Sequence, residues 1–181
     1  MVTLQLLLFI VCLPCAAQTI HVSDEAILFD SHRVRLPAAE QEFEAAVGGV
    51  PVRHEQLADE YSNRVLDWLE LGMIAFSNPR TRKVHALDFL LAPQPYWRGL
   101  LFCGTIEISG NRITSDTTPT TLKTYGFVVN EEGWYEWRQG CTFVVAEVIS
   151  ERITSIEIGR QQANSVLPPS LRRAENAICA E

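Results

Sequence analysis

The chain has 181 residues, of which 47% are hydrophobic and 20% charged, with a formal net charge of -7. That is enough for one large domain or two small ones, and enough apolar residues for a sizeable core. The acidic balance and the lack of a basic cluster exclude the concentrated Lys and Arg of a nucleic-acid-binding face; they speak first to solubility, and they also suit a cationic protein partner.

The first predicted element is an export signal. Leu6 to Leu13 form a short apolar run, and Pro14-Cys15-Ala16-Ala17 follow as a small-residue cleavage region. Cleavage is expected after Ala17, so residues 1–17 are read as a signal peptide and the mature chain as periplasmic or secreted. Pro14 does not suit lipid attachment at Cys15. The run is too short to span a bilayer and no second one approaches that length, so the mature chain is expected not to span a membrane.

A first unit is expected over residues 18–91. Residues 26–30 read as a strand, Ser31-His32-Arg33 as a turn, and Val34 to Leu36 as the returning strand. Pro37 suits the first turn of a helix running to Val47, with Glu40 and Glu42 early and Gly48-Gly49 after its end. Residues 48–64 read as a polar, irregular insertion, a candidate binding loop that carries His54, Tyr61 and Arg64. Val65–Trp68, Met73–Phe76 and Val84–Leu91 form a meander. Its alternation puts His85, Leu87 and Phe89 on one face, with His85 partly buried and satisfied. Asp67, Glu70 and Asp88 are expected to be solvent-facing charge rather than a catalytic acid pair.

Residues 92–98, with Pro93, Pro95, Tyr96 and Trp97, form a Pro-aromatic joint. A second unit over 99–160 repeats the order. It has a strand from Gly104 to Ser109, a Gly110-Asn111 turn, and a return through Thr114. A short helix follows, with Thr118 as N-cap and Pro119 first, ended by Gly126. A second meander covers Trp134–Arg138, Cys141–Ile149 and Ile153–Ile158. Residues 161–181 form a C-terminal tail. The fold class is therefore α+β: two pseudo-repeats, each a short β-hairpin, one helix and a three-stranded antiparallel meander. Trp68 and Trp137, Leu87 and Ile156, and Phe89 and Ile158 become equivalent core positions.

Removal of the signal leaves Cys103, Cys141 and Cys179, an odd number. Cys103–Cys179 is the favoured disulfide, with other pairings or three free thiols as alternatives; Cys141 reads as a small buried apolar residue. No two Cys or His residues stand at ligand spacing, so no metal and no cofactor are expected. No nucleophile elbow, phosphate loop, zincin helix or calcium loop is present. An exposed set of Tyr96, Trp97, Trp134 and Tyr135, joined by His54, Tyr61 and Arg64, would make a binding surface.

The run Leu66-Asp67-Trp68-Leu69-Glu70-Leu71-Gly72-Met73-Ile74-Ala75-Phe76, then Lys83-Val84-His85-Ala86-Leu87-Asp88-Phe89, resembles an exported bacterial domain family of unknown function. Ile27-Leu28-Phe29 with Val34-Arg35-Leu36-Pro37 is similar to it as well, for a coverage of about residues 26–160. The order of elements is more distantly similar to β-lactamase-inhibitor-like folds, in which two copies form one concave sheet that binds a protein, although here each copy opens with an extra hairpin. The family carries no catalytic set. Negative charge, duplication, export and the absence of catalytic motifs point to a non-enzymatic protein-binding module of inhibitor or immunity type, acting by surface occlusion. The alternatives are an envelope structural or assembly factor, and a hydrolase with an unrecognised site.

Overall fold

The computed structural model describes residues 18–58 and 61–160, of which 55–58 and 61–62 by backbone only. The expected signal peptide, the tail and Cys179 lie outside the described residues. The described residues are β-rich with two short helices, a mixed α+β fold. In order it runs β1 (Thr19–Val22), β2 (Ile27–Phe29), β3 (His32–Val34), β4 (Ala38–Ala39), α1 (Glu40–Val47), β5 (Val52–Ala58), β6 (Tyr61–Trp68), β7 (Met73–Ser77) and β8 (Lys83–Leu90). It continues with β9 (Thr105–Ile108), β10 (Asn111–Ile113), α2 (Pro119–Thr124), β11 (Val128–Val129), β12 (Tyr135–Gln139), β13 (Thr142–Ile149) and β14 (Arg152–Arg160).

Two sheets form. The smaller has five strands in the order β10-β9-β1-β2-β3, with β1 parallel to β9 and antiparallel to β2. The larger has nine, in the order β11-β12-β13-β14-β8-β7-β6-β5, with β4 on β8. The two meanders therefore join into one sheet through the antiparallel β14–β8 pair, where Ile158 faces Leu87, Glu157 faces Asp88 and Ile156 faces Phe89.

The core lies between the sheets. Ile20, Ile27, Phe29 and Ile106 from the small sheet pack with Phe43 of α1, Leu122 of α2, and Leu66, Leu87, Phe89, Ile156 and Ile158 of the large one. Each of these residues follows the two-residue period of its strand or the inward stripe of its helix. All six core positions expected from the sequence are buried. Trp68 and Trp137 sit beside glycines that follow the helices. A Cβ on Gly49 would lie 3.7 Å from the Trp68 ring, and one on Gly126 would lie 3.9 Å from the Trp137 ring. The Trp68 indole also donates to the Gly48 carbonyl at 2.8 Å. Phe43 packs edge-on against both Phe29 and Trp68, at 5.3 and 5.5 Å.

Several boundaries differ from expectation. The polar segment 48–64 is largely a β-hairpin, since β5 pairs with β6 from Val52–Asp67 to Ala58–Tyr61. It lies at the sheet edge, where few residues meet the core, so it carries little apolar alternation. Pro37 does not open α1; the chain first makes β4, and Ala39 is the N-cap. Thr118 does cap α2, accepting from the Thr121 amide, with Pro119 first. The second hairpin turns at Ser109-Gly110, both at positive φ, rather than at Gly110-Asn111.

His85 leaves the phase of its strand. Ser77 pairs with Val84 and Phe76 with Ala86, so His85 is an extra residue in a bulge and Val84 takes the core position. The same happens on β14. Val148 pairs with Ile153 and Glu147 with Ser155, which leaves Thr154 bulged and Ile153 in the core.

Candidate functional site

The face of the large sheet turned away from the core holds the chemistry. One row of cross-strand neighbours crosses it in full: Val52, Asp67, Ile74, Asp88, Glu157, Val145, Glu136 and Val128. Read from either edge, the row runs apolar, acidic, apolar, acidic up to the β8–β14 seam. Two acidic groups, Asp88 and Glu157, therefore stand directly opposite each other at the middle of the sheet.

The four acids have different surroundings. Asp67 is paired with His54, one row away on β5, at 3.5 Å. Glu136 is held by Arg138 of its own strand. The Arg138 guanidinium also lies over the Phe143 ring, 5.9 Å from its centroid. That ring in turn covers Gly159, where a Cβ would meet it at 2.2 Å. Among the described residues, no cation pairs with Asp88 or Glu157. The Asp88 Oδ1 atom is buried without a hydrogen-bond partner.

Burial and repulsion act together on this pair. Burial, helped by the neighbouring Glu147 charge, pushes Asp88 up to about 6, against a smaller opposing effect of a Ser155 hydrogen bond. Burial and the Asp88 charge push Glu157 up to about 7. Asp67 is also raised, by burial, with the His54 charge working the other way. The expectation that Asp67 and Asp88 are solvent-facing is corrected: both oxygens Oδ1 are buried, because each residue stands inside the sheet rather than at a turn. Glu70, in the β6–β7 turn, is exposed as expected.

A strap formed by residues 91–102 borders this site. Leu91 and Ala92 donate to the Thr154 carbonyl, Leu100 to that of Leu69, and Phe102 to that of Leu90. Trp97 packs with Leu101 over Val65, Ile74 and Leu90, and its indole donates to Leu100. Tyr96 stands out from the strap, 67% exposed. Its phenol is raised by burial and by the charges of Asp88 and Glu147. No family model, curated protein or solved structure matches the chain.

The structure does not gather all the binding residues expected from the sequence. His54, Tyr96 and Trp97 belong to the outer face or its rim. Trp134 is part-exposed in the turn before β12. Tyr135 faces the core side, with Lys123 over its ring. Arg64 points inward to Glu40, 3.2 Å away, where Ser77 also donates. The Tyr61 side chain lies outside the described residues. The site residues that sequence reasoning missed are Glu157 and Glu147.

A small cavity lined by Ser23, Ala26, Ile27, Leu36, Thr142 and Arg160 has a volume of about 10 Å³, room for one water at most. Among the described residues no group of three or more His, Cys, Asp or Glu has metal-binding geometry, and no helix is long and apolar enough to cross a membrane.

Cys103 and Cys141 are both disulfide-bonded, so Cys141 is not the free buried thiol expected. Thr105, two residues after Cys103, donates to the Gln18 carbonyl before β1, whereas the Cys141 amide donates to Asp24 beyond its other end. Six extended residues span about 20 Å, far more than a disulfide can bridge, so these two cysteines are not bonded to each other.

Proposed function

We propose that this protein is an exported, non-enzymatic protein-binding module that receives a cationic partner on the outer face of its large sheet and acts by occlusion. The observation that carries this reading is the acidic row across that face, flanked by the exposed Tyr96 and the Trp97-bearing strap. A broad, half-open face with a carboxylate line and aromatic rim suits a protein surface better than a small substrate. The net charge of -7 supports steering of a cationic partner.

The fold reading that goes with it is a duplication. Several independent features support it. Asp88 and Glu157, expected to be equivalent, meet at the seam, and their neighbours Leu87–Ile158 and Phe89–Ile156 pair as a two-fold axis requires. The bulges at His85 and Thr154 occupy equivalent positions. Asp30 and Ser109, at the two hairpin turns, both have positive φ. We further propose that residues 1–17 direct export.

The test is capture. Mature protein, residues 18–181, is used as bait against envelope and culture fractions, beside a bait carrying Asp67→Lys and Glu136→Lys. The reading expects a stoichiometric protein retained by the first bait and lost from the second. Equal retention by both, or no stoichiometric protein in any fraction, contradicts it.

A further inference from the structure

The outer acids of the row each have a basic partner within the chain, Asp67 the His54 imidazole and Glu136 the Arg138 guanidinium. The inner pair differs. Asp88 and Glu157 face each other across the β8–β14 seam with no cation among the described residues, and Asp88 keeps a buried oxygen without a donor. Like charges directly opposite on a sheet destabilise it. A fold held together by this seam has no structural need for two acids at its centre; an apolar pair would pack there, as Leu87–Ile158 does one row away.

We propose that Asp88 and Glu157 form a receptor for one lysine or arginine side chain of the protein partner. The proposal rests on the protein-binding reading above and places its anchor. The cation would enter from the open face, between the two carboxyl groups. Glu147 and Tyr96 would border it, and the tyrosine ring would add a π face for an ammonium or guanidinium group.

The charged and titratable groups around the pair are Glu147 on β13, Tyr96 on the strap, and the Asp67–His54 and Glu136–Arg138 pairs on the flanking strands. Because the empty pair retains protons near neutrality, entry of a cation must release them. Affinity should therefore fall as the pH drops below about 6.

The test is a carbon-detected NMR titration of the Asp88 and Glu157 carboxyls in the mature chain, with Nα-acetyl-arginine amide as probe and calcium chloride as comparison. The amide should lower both titration midpoints. Asp88→Asn with Glu157→Gln should weaken its binding about tenfold while leaving the circular dichroism spectrum unchanged, and Tyr96→Ala should weaken it less. Midpoints unmoved by the amide, or moved as far by calcium, overturn the proposal. So does a rise of both midpoints on replacing Arg172 and Arg173 by Ala, since the chain's own tail would then be the cation. Capture of a partner undiminished by the double variant overturns the anchor and leaves the binding reading intact. A normal amide response with no captured protein supports the anchor and removes the binding reading.

Discussion

Asp88 carries a cost that depends on pH. An unfolded aspartate titrates near 3.9, and burial with its acidic neighbours moves the folded group to about 6. Between those values the native state holds the extra proton, so stability falls as the pH rises. The penalty is absent below about pH 4 and complete above about pH 7; Glu157, raised to about 7, adds to it with the same sign. Asp88→Asn should therefore raise stability at pH 8 by about 2 kcal/mol and change it little at pH 4. Urea unfolding at the two pH values checks this, and a variant equally stabilised at both would contradict it. His85 acts in the opposite direction. Burial lowers its pKa, so its contribution is lost as the pH falls through the usual histidine value. His85→Gln should flatten the acid limb of the stability curve, measured by the same unfolding series between pH 5 and 7.

The elements meet where only particular residues fit. Gly72, in the β6–β7 turn, has φ +66, and a Cβ there would lie 2.1 Å from the Phe102 amide nitrogen. Gly72→Ala must strain the turn and push the strap off the sheet. We expect a loss of about 3 kcal/mol or more in chemical denaturation and increased solvent exposure of Trp97 by fluorescence. Gly110, also at positive φ but with open space around it, should cost much less on the same substitution. Which elements could be read in advance follows from their surroundings. The meander strands β7 and β13 declare themselves by unbroken apolar runs, Met73 to Phe76 and Phe143 to Ala146. The Thr118-Pro119 cap is written in adjacent residues. The β5–β6 hairpin was illegible because an edge strand of Arg, His, Glu and Gln has no core to pattern it. His85 was misplaced because a bulge shifts the alternation by one residue without any local mark. The Asp88–Glu157 pair was hidden for another reason: its members are brought together only by the register of two strands from different parts of the chain.

At the scale of the whole molecule, the β8–β14 seam makes one sheet from two meanders, and a continuous core from Ile20 to Ile158 spans both. Nothing in that packing allows one meander to unfold while the other keeps its partners. Denaturant unfolding should be a single transition, coincident by Trp fluorescence and far-ultraviolet dichroism; two separated transitions would mean that the halves are independent. The same seam leaves one face of the sheet to the core and the other to carry the acidic row. On the proposed reading the binding surface is this face and not the β5–β6 hairpin. Amide hydrogen exchange on residues 18–181, alone and with any protein that they retain in the capture experiment, tests this proposal most directly. The account predicts slowed exchange in β8, β14 and the 92–102 strap. Slowing confined to the β5–β6 hairpin, or to the small sheet, would contradict it.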